Sequence, residues 1–415
     1  MALRLGTSRR LASSAAALPL ALGGMIGGGA VLGMAPAAAA AGPWSLVGVV
    51  VAAVTAGCAA TATSYQAQHY PGGAAVYAAS RSRLGVLPAR ITSSAHLAGH
   101  VAALAAVAGA LGELLLPAAA GPTGAVAVLL VVLAATAGLR IRGGAAWAWL
   151  LLMFGVLAIV VVLCWAIPPA PAMAGDRSGA DEAVGIPGAA GLLFFAFLGF
   201  ERLSAPEPDD DRFTPRASGR AVLLALVVAA VVLLALGWSA LHQLGAARLA
   251  LSAVPLRDLL GAAAAAELAP LLCTAAAVAL LPVLLAVLES ARPTTTAAVE
   301  DGDLPGALRR FGAHGTPYVQ DLLVGGAAAV LVLLVDPVVA MAVASCCLLA
   351  HHAFGSAAAR VLLADERRWP TRAACAGMGL SVVLLMSMPI AAMLATLAVV
   401  IVGPVVMGAV SRRWS

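Results

Sequence analysis

The sequence predicts an all-α integral membrane protein with twelve transmembrane helices, on three observations. Hydrophobic residues make up 62% of the 415-residue chain and charged ones only 10%, which leaves too little polar surface to cover a soluble domain. Apolar runs of bilayer length recur from end to end, with no polar block large enough to fold by itself, so one membrane domain spanning 1–415 is expected. Weaving these runs across a bilayer from an inside N-terminus places 21 of the 24 arginines on the inner side and leaves only Arg177, Arg248 and Arg257 outside. One span more or fewer would scramble that separation. The chain has no lysine, and its net charge of +5 is a matter of topology rather than of nucleic-acid binding. The expected location is the cytoplasmic (inner) membrane, with both termini cytoplasmic.

The spans fall at about 12–40, 44–66, 91–117, 122–139, 145–168, 185–204, 220–243, 265–291, 319–335, 338–363, 372–388 and 390–411. Span 1 opens with paired arginines, as an export leader does. Its apolar part of about 28 residues is too long for a leader core of about 7 to 15, so it is expected to stay in the membrane. "AAGPW" turns the chain into span 2, "AAGPTG" joins spans 3 and 4, "VDPVV" joins spans 9 and 10, and Pro389 separates the last two. The acidic run "PEPDDDR" at 206–212 is expected to be a solvated loop. Cys58, Cys164, Cys273, Cys346, Cys347 and Cys375 lie in apolar segments without metal-type spacing and are expected to be small buried hydrophobes.

Residues 23–33 read "GGMIGGGAVLG". Backbone groups in a bilayer must find partners, so a helix can break there only where the freed groups face a cavity or a ligand. The glycines therefore mark either a candidate site or close helix packing through small residues, for which Gly24 and Gly28 have the spacing. Span 6, "GIPGAAGLLFFAFLGFERL", has its own interruption at Gly199. Spans 1 and 6 open two five-helix halves, at about 12–168 and 185–363, with extra helices at about 372–411. Interrupted helices in matching positions point to an inverted-repeat transporter with its substrate between them.

These residues resemble the amino acid-polyamine-organocation permeases. The family's G-x-I-G-x-G run is similar to "GMIGGGAV" at 24–31. Its Pro-x-x-Gly-Gly-x-Tyr element is similar to "PGGAAVY" at 71–77, where Ala74 and Ala75 stand in place of the two glycines. The "FFAFLGFE" core at 194–201 and "ARPTTTAAVEDGDLPGALRRFGAHGTPY" at 291–318 complete the ordered set, over about residues 10–370. The resemblance implies a leucine-transporter-like repeat of five plus five helices. It implies that the amides of Gly27, Gly28 and Gly29 hold a substrate carboxylate at the positive end of a half-helix. It implies that the carbonyls of Met25, Ile26, Phe195, Ala196 and Leu198 accept from the substrate ammonium, with Phe200 as an aromatic gate. Packing against lipid or core is the other role open to Phe194, Phe195, Phe197 and Phe200. Where some proton-coupled members carry a lysine in span 5, this chain has Gly155.

Ionisable groups at membrane depth are costly and mark function by default. His96 and His100 lie one turn apart on span 3, with Glu113 further along it. His100, Glu113 and Glu289 are the candidates for proton coupling, and helix-end hydrogen bonding is expected for His96. The His-x-x-x-His spacing suits a metal, but no third ligand is near in sequence and no metal or other cofactor is expected. His351 and His352 are expected to diverge, so that at most one faces the pathway. Glu289 and Glu201 are expected to pair with arginines such as Arg292. The function expected is a secondary active permease that moves an amino acid or related amine by alternating access. Its partners are that small molecule, the lipid bilayer, and a coupling proton or counter-substrate. A sensor or subunit built on the same fold is the alternative. A membrane-embedded enzyme would need a converging nucleophile, metal set or carboxylate pair, and the ionisable residues are scattered over several helices.

Overall fold

The computed structural model describes residues 18–19, 21–141, 144–171, 181–204, 215–363 and 369–414, and every regular element among them is helical. The start of expected span 1, the acidic run at 206–212, and Arg4, Arg9, Arg10, Arg142, Arg177, Arg212, Arg367 and Arg368 lie outside the described residues. A helix closes its backbone hydrogen bonds within itself, the condition a bilayer imposes on an open chain. The first half holds α1 (Ala21–Leu32), α2 (Met34–Ala41), α3 (Ser45–His69), α4 (Ala75–Leu84), α5 (Val86–Leu115), α6 (Ala120–Thr136) and α7 (Gly144–Ala166). The chain continues through α8 (Ile186–Leu193), α9 (Glu201–Ser204), α10 (Pro215–Leu244), α11 (Ala246–Ala250), α12 (Pro255–Ala262), α13 (Ala269–Ser290) and α14 (Arg292–Glu300). It ends with α15 (Tyr318–Leu334), α16 (Pro337–Leu362), α17 (Trp369–Met386) and α18 (Ile390–Trp414).

Among the described residues, eight helical runs are long and apolar enough to cross a membrane by length and composition. Four shorter apolar helices, Ala21–Leu32, Glu182–Phe197, Tyr318–Leu334 and Pro370–Met386, stand where expected spans 1, 6, 9 and 11 would be. Eight of the twelve expected spans thus correspond to runs of full length, and the other four correspond to helices too short to cross a bilayer by themselves. The chain itself limits three of the short ones. The second is interrupted after Phe197, the third begins only beyond Pro317, and the fourth stops before Pro389.

Helix α5 is the centre of the stack, packed against α16, α6, α13, α18 and α15. In their most apolar stretches 78% of α5 and 72% of α16 is buried, against 22% of α18, so the first two are interior and the last lies at the rim. Small residues let these backbones approach. The space a Cβ would need is taken by Pro337 at Gly109, by the Ala120 carbonyl at Gly112 and by the Ala108 carbonyl at Gly124. Asp336 caps α16, its carboxylate accepting from the amides of Val338 and Val339 at 2.8 and 3.4 Å ahead of Pro337. The outer faces are apolar, with Leu130, Leu133, Leu151, Val162, Leu224 and Val227 all exposed. Such a surface belongs against lipid. All six cysteines are unpaired, and Cys375 is exposed rather than buried.

Candidate functional site

The glycine-rich helix and the interrupted helix meet. Helix α8 passes into a 3-10 turn at Phe194–Phe197, Leu198 is extended with φ −61° and ψ 140°, and Gly199 takes φ +107° before α9 begins. Only glycine adopts such a φ without strain. Phe195 accepts from the amide of Leu198 at 3.2 Å, whereas the amides of Gly199 and Phe200 have no partner among the described residues. Across from this break, α1 is continuous from 21 to 32. The interruption expected at Gly27, Gly28 and Gly29 is absent, and only a bend at Gly33 separates α1 from α2. The glycines serve contact instead. A Cβ on Gly29 would lie 2.0 Å from that of Ala196, one on Gly28 2.7 Å from the Phe195 ring, and one on Gly27 2.6 Å from Val283. Trp149 fills the space over Gly23 while its Nε1 donates to the Ala279 carbonyl at 2.6 Å, tying α7 to α13. Met25, Ile26, Phe195, Ala196 and Phe200 are all buried, and Leu198 is partly so.

A cluster of four histidines lies around Glu201, directly beyond the break. The ring centres are 4.2 Å apart for His96 and His100, 4.6 Å for His96 and His351, and 4.9 Å for His351 and His352. Glu201 is 3.0 Å from His352 Nε2 and 4.0 Å from His96 Nδ1. The Phe200 ring covers His352 at 5.1 Å between centres. Each of the other imidazoles is fixed by a backbone carbonyl: His96 Nε2 by Ser290 at 3.2 Å, His100 Nδ1 by His96 at 2.9 Å and His351 Nδ1 by Thr92 at 3.0 Å. His96 thus does bond a helix end, since Ser290 is the last residue of α13.

Two sequence expectations are corrected here. His351 and His352 both belong to the cluster, because α5 and the broken helix press on α16 closely enough for divergent side chains to reach one glutamate. Glu201 turns to histidine rather than to arginine. The three proton-coupling candidates are not brought together. His100 sits in the cluster, Glu113 lies about 20 Å further along α5 at the rise of a helix, and Glu289 is bound by arginines. Arg202 contacts Glu289 directly, Arg292 Nη1 reaches it at 3.7 Å, and Arg292 Nη2 continues to Asp321 at 2.8 Å. This chain of ion pairs links α9, α13, α14 and α15.

At one end of the bundle, two of the quoted motifs join. Asp303, fully buried after α14, accepts from Arg81 Nη1 at 2.6 Å, Arg90 Nε at 2.8 Å and the Tyr77 hydroxyl at 3.0 Å. Burial and the adjacent Asp303 carboxylate push the Tyr77 phenol well above its ordinary range, which keeps it a donor. Arg81 Nε also meets Asp301 at 3.1 Å, and Arg90 Nη2 donates to Ser411 of α18 at 2.8 Å.

A stack of apolar helices with a lipid-facing surface and one helix interrupted inside it defines a multi-pass membrane protein. No protein-family model matches the chain. It is 33% identical over 398 residues to proteins named uncharacterized transporters in Mycobacterium bovis (strain ATCC BAA-935 / AF2122/97) and in Mycobacterium tuberculosis (strains CDC 1551 / Oshkosh and ATCC 25618 / H37Rv). Each alignment covers 93% of this chain and 88% of the relative. The chain belongs to the family of these mycobacterial transporters.

Proposed function

We propose that the protein is a secondary active permease of the amino acid-polyamine-organocation type, which moves an amino acid or related amine across the cytoplasmic membrane by alternating access. The observation that carries this is the break at Leu198–Phe200 after the 3-10 turn, with the amides of Gly199 and Phe200 unpartnered among the described residues, held against a glycine-rich helix. Unsatisfied backbone inside an apolar stack is expected where it faces a cavity or a ligand, and a substrate site supplies both. The transporter names of the relatives support the class, and the ordered motifs support the substrate type. Helices α1 and α2, α3, α5, α6 and α7 form the first half of the proposed repeat. Helices α8 and α9, α10, α13, α15 and α16 form the second, with α17 and α18 added. Helix α1 and the break are in van der Waals contact, so this is a closed arrangement. Their separation exposes Met25, Ile26, Gly27, Gly28 and Gly29 on one side and Phe195, Ala196 and Leu198 on the other, with Phe200 as the cover.

The test is a thermal-shift screen of the purified chain against amino acids and common polyamines, followed by uptake of each hit into proteoliposomes at two pH values. Stabilisation by an amine-bearing ligand and its uptake are expected, and Gly28→Leu should abolish uptake while the protein still inserts. No stabilisation by any amine-bearing ligand overturns the substrate class. Binding without uptake assigns the chain to the sensors instead.

A further inference from the structure

We propose that His96, Glu201 and His351 form a binding site for one divalent transition-metal cation of the zinc type. Each offers a ligand atom, and the three atoms lie within 4.8 Å of one another. Their protonation is set by what each imidazole already does. A backbone carbonyl only accepts, so Nε2 of His96 facing Ser290 and Nδ1 of His351 facing Thr92 must both carry the proton. The opposite nitrogen of each ring keeps its lone pair. Metal-binding histidines are held in this way, with the second ring nitrogen donating to a carbonyl.

One of those lone pairs is unsatisfied. His96 is 3% exposed, and its Nδ1 is buried without a hydrogen-bond partner, 4.0 Å from the Glu201 carboxylate. Two acceptors that face each other in an apolar interior repel unless a cation lies between them. A proton satisfies two acceptors, whereas the lone pair of His351 adds a third, which a metal ion takes. Imidazole with carboxylate selects zinc, nickel or cobalt over magnesium or calcium. Ligands on one tetrahedral zinc sit about 3.4 Å apart given metal–ligand bonds of roughly 2.1 Å, so binding draws the side chains inward by roughly an ångström. The ligands come from α5, α9 and α16, and the ion would pin the broken helix to both neighbours. The inference is independent of the substrate proposed above, because it concerns the far side of the break and is read by metal binding alone.

The experiment uses the full-length chain in detergent, stripped with a chelator, titrated with Zn2+ by calorimetry and with Co2+ by visible absorption. One Zn2+ per chain, a raised unfolding midpoint and tetrahedral-type Co2+ bands saturating at one equivalent are expected. In Glu201→Gln and His351→Gln, affinity should fall by at least about tenfold. Undiminished binding in both folded variants places the metal on exposed histidines such as His69 and overturns the proposal. If neither variant folds, the wild-type Co2+ spectrum decides, and pale octahedral bands or none overturn it. A wild-type chain that binds no metal yet unfolds with a pH-dependent midpoint assigns the cluster to protons instead, which overturns it equally.

Discussion

Asp303 is a single buried carboxylate that satisfies two arginines and a tyrosine at once. Removing its charge leaves Arg81 and Arg90 facing one another with only the half-exposed Asp301 to compensate. Asp303→Asn is expected to lower stability by roughly 2–3 kcal/mol, discounted from the value for a fully buried pair because both arginines are partly exposed. Denaturant titration in detergent checks it. Gly29 offers a second test, since a Cβ there meets the backbone of Ala196 at 2.3 Å, and a backbone cannot swing aside. Gly29→Ala is expected to destabilise by about 1–3 kcal/mol through overpacking. Gly57→Ala, with nothing within 4 Å, should be neutral or gain about 0.5 kcal/mol from helix propensity. Single residues were unevenly legible in the sequence. The pairing of His96 with His100 follows from helical spacing. Glu201 and His351 lie more than a hundred residues further on, and only the packing of three helices brings them to the same place.

The break in the helix falls where the sequence places the interruption, at Gly199 between Leu198 and Phe200, after a run of bulky side chains. Gly199 adopts φ +107°, and its missing Cβ would meet nothing closer than 3.6 Å, so the constraint there is conformational rather than steric. Gly199→Ala should therefore destabilise by about 1–3 kcal/mol through backbone strain alone, read as a lowered unfolding midpoint with unchanged helical content. An unchanged midpoint would mean that the break is not required by the fold. The companion break in α1 was not predicted correctly, for a physical reason. A run of glycines signals close approach as well as unwinding, and sequence does not distinguish them. Here Ala196, Phe195, Val283 and Trp149 fill the space the side chains would have occupied, and the ladder stays intact.

The helical, membrane-type character of the chain follows from apolar runs punctuated by Gly-Pro, Asp-Pro and Pro389, since a bilayer leaves the backbone few other choices, and eight of the described runs have the length and composition of spans. What the runs did not reveal is which helix is innermost. Helices α5 and α18 are both rich in apolar residues, and the tight contacts at Gly99, Gly109 and Gly112 mark α5 as a surface for other helices rather than for lipid. The arrangement of arginines makes a prediction for the whole molecule. With the six cysteines replaced by alanine, Leu251→Cys, between α11 and α12, should react with an impermeant maleimide in intact cells. Phe311→Cys, between α14 and α15, should react only after permeabilisation. The reverse pattern would invert the orientation, and labelling of both from outside would remove a span. Arg90, finally, divides its guanidinium between Asp303 and Ser411 near the C-terminal end of α18. The rim helix is thereby wired to the polar knot that joins α4 to the segment after α14, so any rearrangement of the knot alters what holds the tail of the chain. Protease sensitivity at the C-terminus becomes a gauge of the state of that knot.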